Sequence, residues 1–485
     1  MEKYSKTKII YGMLWKFLER IGVQGAQFIL QLLLARILDP EHYGTLALMT
    51  IFVNLANVFV QNGFNSALIQ NKDVTEEDYS SVFWVSLGVT GVLYGILFAA
   101  APLIARLYHM PDFVHPFRVI CLMLFPGTLN SVQIARLRRK MDFKKVFVSN
   151  MVGIVLSGVT SIVLALMGAG IWALVCQSLM NAVCACIVMS FTAKLQLRFV
   201  CNLQRVGKLF SYSWKLLASG LLNTLYQDLR SLVIGLKYNS ATLAFYNRGK
   251  QFPQFLINAI DNTVNSVMLP AMSAEQDDKT RVKALMRHSI TLSAYILFPM
   301  MAGLAAVAKP LITLLLTEKW LPAVPYMQIY CYTFAFYPVH SCNLQAINAM
   351  GRSDIYLKLE LIKKGYGLVA LVIAIFCFDS PLAIAATGVV TSVLSCFVNA
   401  TPNQRLVGYT YWEQIQDILP AMLSSLAMFG IVLPVGMLPM PVLLILVVQV
   451  ITGVAVYVGI SAAFRLPGFR ILLKTAKGIL KQKKK

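Results

Sequence analysis

Fourteen apolar runs punctuate this chain, each about 20 residues long and therefore able to cross a bilayer as a helix. They lie near 13–36, 44–66, 81–104, 114–135, 146–167, 170–192, 212–236, 242–270, 285–308, 324–347, 358–378, 381–400, 415–435 and 440–463. Backbone amides in hydrocarbon must find partners within a helix or a closed barrel, and runs of this length leave only the helix. The expected fold class is an all-α polytopic membrane protein with about 14 transmembrane helices. Composition agrees: 13% of the 485 residues are charged and mean hydropathy is +0.67, against about 25% charged in soluble domains. The polar start (Glu2, Lys3, Lys6, Lys8) leads into a span too long and too glutamine-rich for a cleavable signal peptide.

A net charge of +22 raises the question of nucleic acid, and its placement argues against it. Basic residues crowd alternate loops, notably RLRRKMDFKK at 136–145, the 193–215 connection and the C-terminal RILLKTAKGILKQKKK. Roughly 33 of the 43 Lys and Arg fall on that side, which makes it cytoplasmic and puts both termini there. The lysine-rich tail alternates apolar and basic residues, a pattern suited to anionic inner-leaflet lipids. The nine cysteines show no zinc spacing, and Cys184 and Cys186 are too close for a Cys-x-x-Cys motif. His42, His109 and His115 also lack ligand spacing and read as surface residues. Neither a metal nor a cofactor is expected.

The chain repeats itself. Residues 61–69 (QNGFNSALI) match 261–269 (DNTVNSVML), so that Asn62, Asn65 and Ser66 recur as Asn262, Asn265 and Ser266, and Asn54 as Gln254. Trp15-Lys16 returns as Trp214-Lys215, PLIARL (102–107) as PLITLL (310–315), and Pro126, Gln133 and Asp142 as Pro338, Gln345 and Asp354. A repeat of this period implies two pseudo-symmetric six-helix lobes facing a shared hydrophilic cavity. We expect lobes at 1–200 and 201–400, two additional transmembrane helices at 401–464 and a basic cytoplasmic tail at 465–485.

Polar residues at membrane depth fall on single helical faces. The first span carries Lys16, Arg20, Gln24, Gln27 and Gln31, and its repeat carries Lys215, Ser219, Asn223, Gln227 and Arg230. The second carries Asn54, Asn57, Gln61 and Asn65, and its repeat Asn247, Gln251, Gln254, Asn258, Asp261 and Asn265. A charge at the bilayer centre costs about 2.5–3.5 kcal/mol. Glu19, Arg20, Arg118, Asp228, Arg230, Arg248, Lys250 and Asp261 must therefore pair across helices or face water. Five bases against three acids favour an anionic substrate, above all a phosphate, and neighbouring amides suit sugar hydroxyls. The substrate-binding candidates are Arg20, Gln24, Gln27, Asn54, Gln61, Arg118, Asn223, Gln227, Arg230, Arg248, Lys250, Gln254 and Asn258. Asp261, Glu19 and Asp228 are candidates for coupling to sodium or a proton; interhelical salt bridges are the alternative for any of these charges. Gly249, Pro253, Pro270, Pro126 and Pro338 mark helix bends, either static kinks or hinges for rocking.

An enzyme such as a membrane-embedded polysaccharide polymerase needs acid/base or metal-binding residues on substantial loops. The outer loops are short, and neither a Walker-type loop nor His-Glu-x-x-His occurs. A cation-coupled multidrug exporter needs an acidic aromatic pocket, which the positive excess disfavours.

The run LLLARILDPEHYGTLALMTIFVNLANVFVQNGFNSALIQNKDVTEEDYSSVFW (32–84) resembles the N-terminal signature of Wzx-type polysaccharide flippases. It is nearest the lipopolysaccharide, colanic-acid or teichuronic-acid exporter branch of the MOP superfamily, and AFYNRGKQFPQF (244–255) and INAMGRSDIYLK (347–358) resemble it too. The resemblance implies alternating access and export of an undecaprenyl-pyrophosphate-linked oligosaccharide from the inner to the outer leaflet of a bacterial plasma membrane. It also implies cationic cavity residues, of which Arg20 is the best match, followed by Arg230 and Arg248. Polymerase and glycosyltransferase partners are implied as well. Only the charged head of such a lipid needs a polar path; the uncharged stretch after Asp417 in the helices of 415–463 fits either a groove for its tail or plain apolar packing.

Overall fold

The computed structural model describes residues 6–62, 68, 75–193, 195, 197–200 and 202–482, with side chains at all of these except 6–14, 17, 20, 21, 61, 62, 203, 205, 208–213, 259, 261–266 and 475–482. The side chains of Arg20, Gln61 and Asp261, and of the repeat residues Asn62, Asn65, Ser66, Asn262, Asn265 and Ser266, lie outside that description. Every element among the described residues is helical. The chain divides into two compact units, Met1–Ala244 and Phe245–Lys485.

The first unit holds α1 (Lys6–Ile37), α2 (Pro40–Asn62), α3 (Glu76–Leu107), α4 (Val114–Ile120), α5 (Leu124–Arg139), α6 (Phe143–Leu166), α7 (Ile171–Ala193), α8 (Leu203–Lys237) and the start of α9 (Ser240–Ala274). Helix α6 packs along α1 and α7, while α2 packs along α5 and α8. Gly44 brings α2 against the residue that opens the next helix after α8: a Cβ there would lie 1.7 Å from the Ser240 carbonyl oxygen. The connection after α7 is tied to α3, because Ser80 and Ser81 Oγ accept from the Arg198 and Asn202 amides at 3.0 Å.

The second unit continues α9 and adds α10 (Lys279–Ala306), α11 (Ala308–Leu316), α12 (Val324–Ala335), α13 (Tyr337–Ala349), α14 (Ser353–Cys377), α15 (Pro381–Leu406), α16 (Tyr411–Val435), α17 (Val442–Ala463) and α18 (Pro467–Gln482). Helix α10 is its hub, touching α12, α13, α16, α17 and α18. Asp278 caps α10 by accepting from the Thr280 and Arg281 amides at 2.9 and 3.1 Å. Helix α16 is locked to α10 by Arg287, which forks onto Asp417 with two 2.8 Å bonds, and by Lys283 on Glu413 at 2.8 Å. Tyr409, just before α16, donates to the same Asp417 at 2.6 Å. Burial and then that bond push its hydroxyl well above the ordinary tyrosine value, so it stays a donor. Tyr457 of α17 donates to the Tyr295 carbonyl at 2.8 Å, and Tyr295 returns a bond to Ser461 at 2.9 Å. Buried amides close the set: Asn343 donates to Gln414 at 2.9 Å and receives from Asn403 at 2.8 Å, joining α13, α15 and α16.

Each expected span falls on a helix or an interrupted helical run. Nine among the described residues meet a length-and-apolarity criterion for crossing a membrane. The other five expected spans coincide with α1, α8, α9, the α12–α13 pair and α14, helices that carry polar residues along their length. The runs bearing Pro126 and Pro338 are both interrupted. A 3₁₀ turn at Cys121–Met123 separates α4 from α5, and the helix breaks at Phe336 between α12 and α13. Proline removes an amide donor and crowds the preceding turn, which accounts for a break just upstream of each.

Candidate functional site

In the first unit the polar stripes sit on α1, α2 and α8. Gln24, Asn54, Asn223 and Gln227 are exposed and Gln27 is half-buried. Glu19 is paired with Lys16 one turn earlier, whose ammonium also lies 5.5 Å from the Phe143 ring centre. Asp228 and Arg230 are half-buried and engaged by neighbouring groups. Arg118 has a different setting: its guanidinium stacks 3.9 Å from the Phe98 ring centre, and Nε donates to the Phe98 carbonyl at 3.3 Å.

In the second unit the cations of α9 sit among aromatic rings. Arg248 is 6% exposed, donates to Gln251 Oε1 at 2.5 Å and lies 5.5 Å from the ring centre of Trp320, which is fully buried. Lys250 lies 5.9 Å from the Tyr330 ring. Tyr246 joins hydroxyls with Tyr330 and meets Tyr326 edge-on at 6.0 Å. Such faces hold a cation through the ring quadrupole without neutralising it. Gly249 brings the partners close: a Cβ there would stand 2.5 Å from Tyr326 Cβ and 2.7 Å from the Met327 amide nitrogen. Gln254 is half-buried and Asn258 exposed further along α9.

Beside this cradle is an apolar groove of about 390 Å³, walled by Leu256 of α9, Pro299 and Leu304 of α10, Met428 of α16, and Gly453 and Tyr457 of α17. Its one amide, Gln449, donates to the Val432 carbonyl at 3.2 Å. The groove runs against the two helices that follow the repeat. The aromatic cradle was not anticipated. Its only advance signs were Trp320 in an otherwise short loop and Tyr326 and Tyr330 stepping by one turn. Among the described residues no cluster of three or more His, Cys, Asp or Glu could hold a metal ion.

The arrangement provides cations backed by rings, amides at helical spacing and an apolar trough, a set suited to holding an amphiphile. The family described as "Polysaccharide biosynthesis protein" matches residues 33–325. The chain belongs to this family. The Wzx-type resemblance of 32–84 is thereby borne out. Among relatives, the succinoglycan biosynthesis transport protein ExoT of Rhizobium meliloti (strain 1021) is 25% identical over 82% of this chain and 78% of its own. The lipopolysaccharide biosynthesis protein WzxC of Escherichia coli (strain K12) is 24% identical over 88% and 89%. Lipid II flippase MurJ in an inward closed conformation superposes with a TM-score of 0.74 at 15% identity, over 96% of this chain and 100% of that one. An inward-facing multidrug resistance MATE family transporter of the MOP superfamily gives 0.61 at 15% identity, over 78% and 95%. This polysaccharide biosynthesis protein therefore has the MurJ- and MATE-like fold of a multi-pass membrane protein.

Proposed function

We propose that the chain is a flippase. It carries an undecaprenyl-pyrophosphate-linked oligosaccharide from the inner to the outer leaflet of a bacterial plasma membrane for cell-surface polysaccharide synthesis, by alternating access. The observation that carries this reading is that one helix, α9, holds both halves of the recognition. Arg248 and Lys250 lie in the aromatic cradle, and about two turns on Leu256 forms part of the apolar groove wall. A charged head and an apolar tail are the two parts of a lipid-linked sugar. Names of the relatives, a succinoglycan transport protein and a lipopolysaccharide biosynthesis protein, support the same substrate class.

In this reading fourteen spans form two six-helix lobes, 1–200 and 201–400, with helices at 401–464 flanking the groove. Both termini are cytoplasmic, and the basic tail 465–485 meets anionic inner-leaflet lipids. Arg20, Arg230, Arg248 and Lys250 attract the pyrophosphate, while Gln24, Gln27, Asn54, Gln61, Asn223, Gln227, Gln254 and Asn258 meet sugar hydroxyls. Arg118 joins the set as a flanking cation. Asp261, Glu19 and Asp228 are the carboxylates available to a coupling sodium or proton, and polymerase and glycosyltransferase enzymes supply and consume the substrate. Export of cationic drugs fits less well, because the α9 cations repel such cargo.

The test is leaflet translocation of a fluorescent undecaprenyl-pyrophosphate oligosaccharide in proteoliposomes, native protein against Arg248→Gln plus Lys250→Gln. Flipping by the native protein that collapses in the folded double variant is the expected result. A folded native protein that flips none of several glycans refutes the reading.

A further inference from the structure

Helix α18 is built differently from the spans. Along PGFRILLKTAKGILKQ the bases Arg470, Lys474, Lys477 and Lys481 step by four, three and four, while Phe469, Leu472, Leu473, Ala476 and Leu480 take a separate, broader side of the wheel. At 16 residues the helix is about 24 Å long, short of the hydrocarbon core of about 30 Å. A base on every turn also bars it from that core, and a helix of this kind lies in the plane of an interface. Arg470 and Lys474 are exposed, and so are the apolar Leu472 and Leu473, at 37% and 43%. A bare apolar face beside a basic stripe is complementary to one kind of surface, lipid with negative head groups.

The helix is rooted beside the apolar groove. Helix α17 ends in a Schellman-type turn: the Leu466 amide donates to the Ser461 carbonyl at 3.1 Å, Arg465 takes φ 50°, and Pro467 opens α18. Leu466 is buried in one apolar cluster with Tyr295 and Tyr457. Gly468 is pressed onto α10, where a Cβ would lie 2.5 Å from Tyr295 Cγ and 2.9 Å from its Cδ2. The Phe469 ring centre is 6.5 Å from that of Tyr295. Tyr295 in turn holds α17 twice, donating to Ser461 and accepting from Tyr457 at its carbonyl. Tyr457 lines the groove. Two side chains, Tyr295 and Tyr457, therefore join the first turn of α18 to the groove wall.

We propose that an anionic lipid surface bound along α18 regulates the groove through Tyr295, an inference that rests on the flippase reading above. Each Lys or Arg near such a surface strengthens attachment about fivefold. With α18 drawn onto negative lipid, Gly468 and Phe469 stay against Tyr295, and Tyr457 stays tied to the Tyr295 carbonyl. The α10–α17 wall is then closed at that end and the groove keeps its shape. On neutral lipid the basic stripe gains nothing from the head groups, and α18 swings away about the turn at Arg465. Tyr295 loses the packing of Gly468 and Phe469, and α10 and α17 part where Tyr457 ends the groove. Lipid charge and tail binding are thereby two sites coupled through one contact.

The experiment compares flipping of the same fluorescent lipid in vesicles of phosphatidylcholine alone and of phosphatidylcholine mixed equally with phosphatidylglycerol. Native flipping should be faster in the anionic vesicles by about fivefold or more, the low end of coupling between sites. Amide hydrogen exchange of 468–482 should slow with it. Replacing Arg470, Lys474, Lys477 and Lys481 together by Gln should abolish both responses, which separates the tail from the other basic loops. Gly468→Val keeps the bases and forces α18 off Tyr295; its tail exchange should still slow on anionic lipid while its flipping no longer responds. A chain stopped after Leu466 should flip at the native protein's neutral-lipid rate in both vesicles. Native flipping or tail exchange indifferent to phosphatidylglycerol overturns the proposal while flipping stands, as does a native response in Gly468→Val or the stopped chain. No native flipping in either vesicle overturns the flippase reading, and this inference with it.

Discussion

Gly249 offers the sharpest test of the cradle. An alanine there would need space that Tyr326 Cβ, the Met327 amide and the Ala323 carbonyl oxygen occupy at 2.5, 2.7 and 2.9 Å from the new methyl. These are backbone or backbone-proximal atoms, so no side-chain rotation relieves the overlap and α9 must move off α12 by about 1 Å to reach normal carbon contact. Overpacking of this kind costs about 1–3 kcal/mol. Gly→Ala in a helix interior also contributes about 1 kcal/mol of stabilisation through propensity. Gly95→Ala isolates that second effect, because Gly95 lies in α3 with nothing within 4 Å of its Cβ position. The two variants should therefore differ by about 1–3 kcal/mol in reversible SDS unfolding from mixed micelles, with Gly249→Ala the weaker. The same displacement carries the Arg248 guanidinium from 5.5 Å toward the limit of useful attraction to the Trp320 ring, about 6 Å. Affinity for a pyrophosphate head group should fall with it. Equal stability of the two variants would refute the packing argument, whatever happened to binding.

Asp417→Asn leaves Arg287 without its forked partner and Tyr409 with a weaker acceptor. Arg287 is 43% exposed at its side chain, so water recovers part of the loss and the cost should be about 1–2 kcal/mol, read as faster proteolysis near 407–410. Gly453→Leu places a branched side chain in the groove, whose nearest wall atoms to a Cβ there are Val432 Cγ2 at 3.5 Å and Met428 Sδ at 3.7 Å. Flipping of the full lipid should drop about tenfold or more, a loss of roughly 1.4 kcal/mol, while binding of a tail-free sugar pyrophosphate is unchanged; equal losses in both assays would argue against a tail site.

Hydrophobic periodicity located the helices because burying backbone in lipid leaves one solution, and each of the fourteen runs meets a helix. The second and eighth spans read as the least apolar; α2 nonetheless meets the length-and-apolarity criterion, while α9, α1, α8, α14 and the α12–α13 pair fall short of it. The break upstream of Pro126 and its echo upstream of Pro338 were legible because proline acts locally. The cradle was not, since Trp320 reaches Arg248 only through the 3₁₀ turn Glu318–Ala323 and the tight α9–α12 contact at Gly249. Arg118 shows the reverse. Its sequence position suggested an ion at depth, and the Phe98 ring and carbonyl give it a partner that no spacing rule reveals.

The groove has one more consequence. Val450, Val454 and Val458 along its α17 edge are 49%, 60% and 45% exposed, so the trough opens sideways along its length. A trough of that form is not a ruler. A polyprenyl chain lying in it leaves through the side into surrounding lipid, and isoprenoids of different lengths present the same contacts. Discrimination among cargoes then falls to the sugar, and the protein would accept a shortened synthetic tail as readily as a natural one.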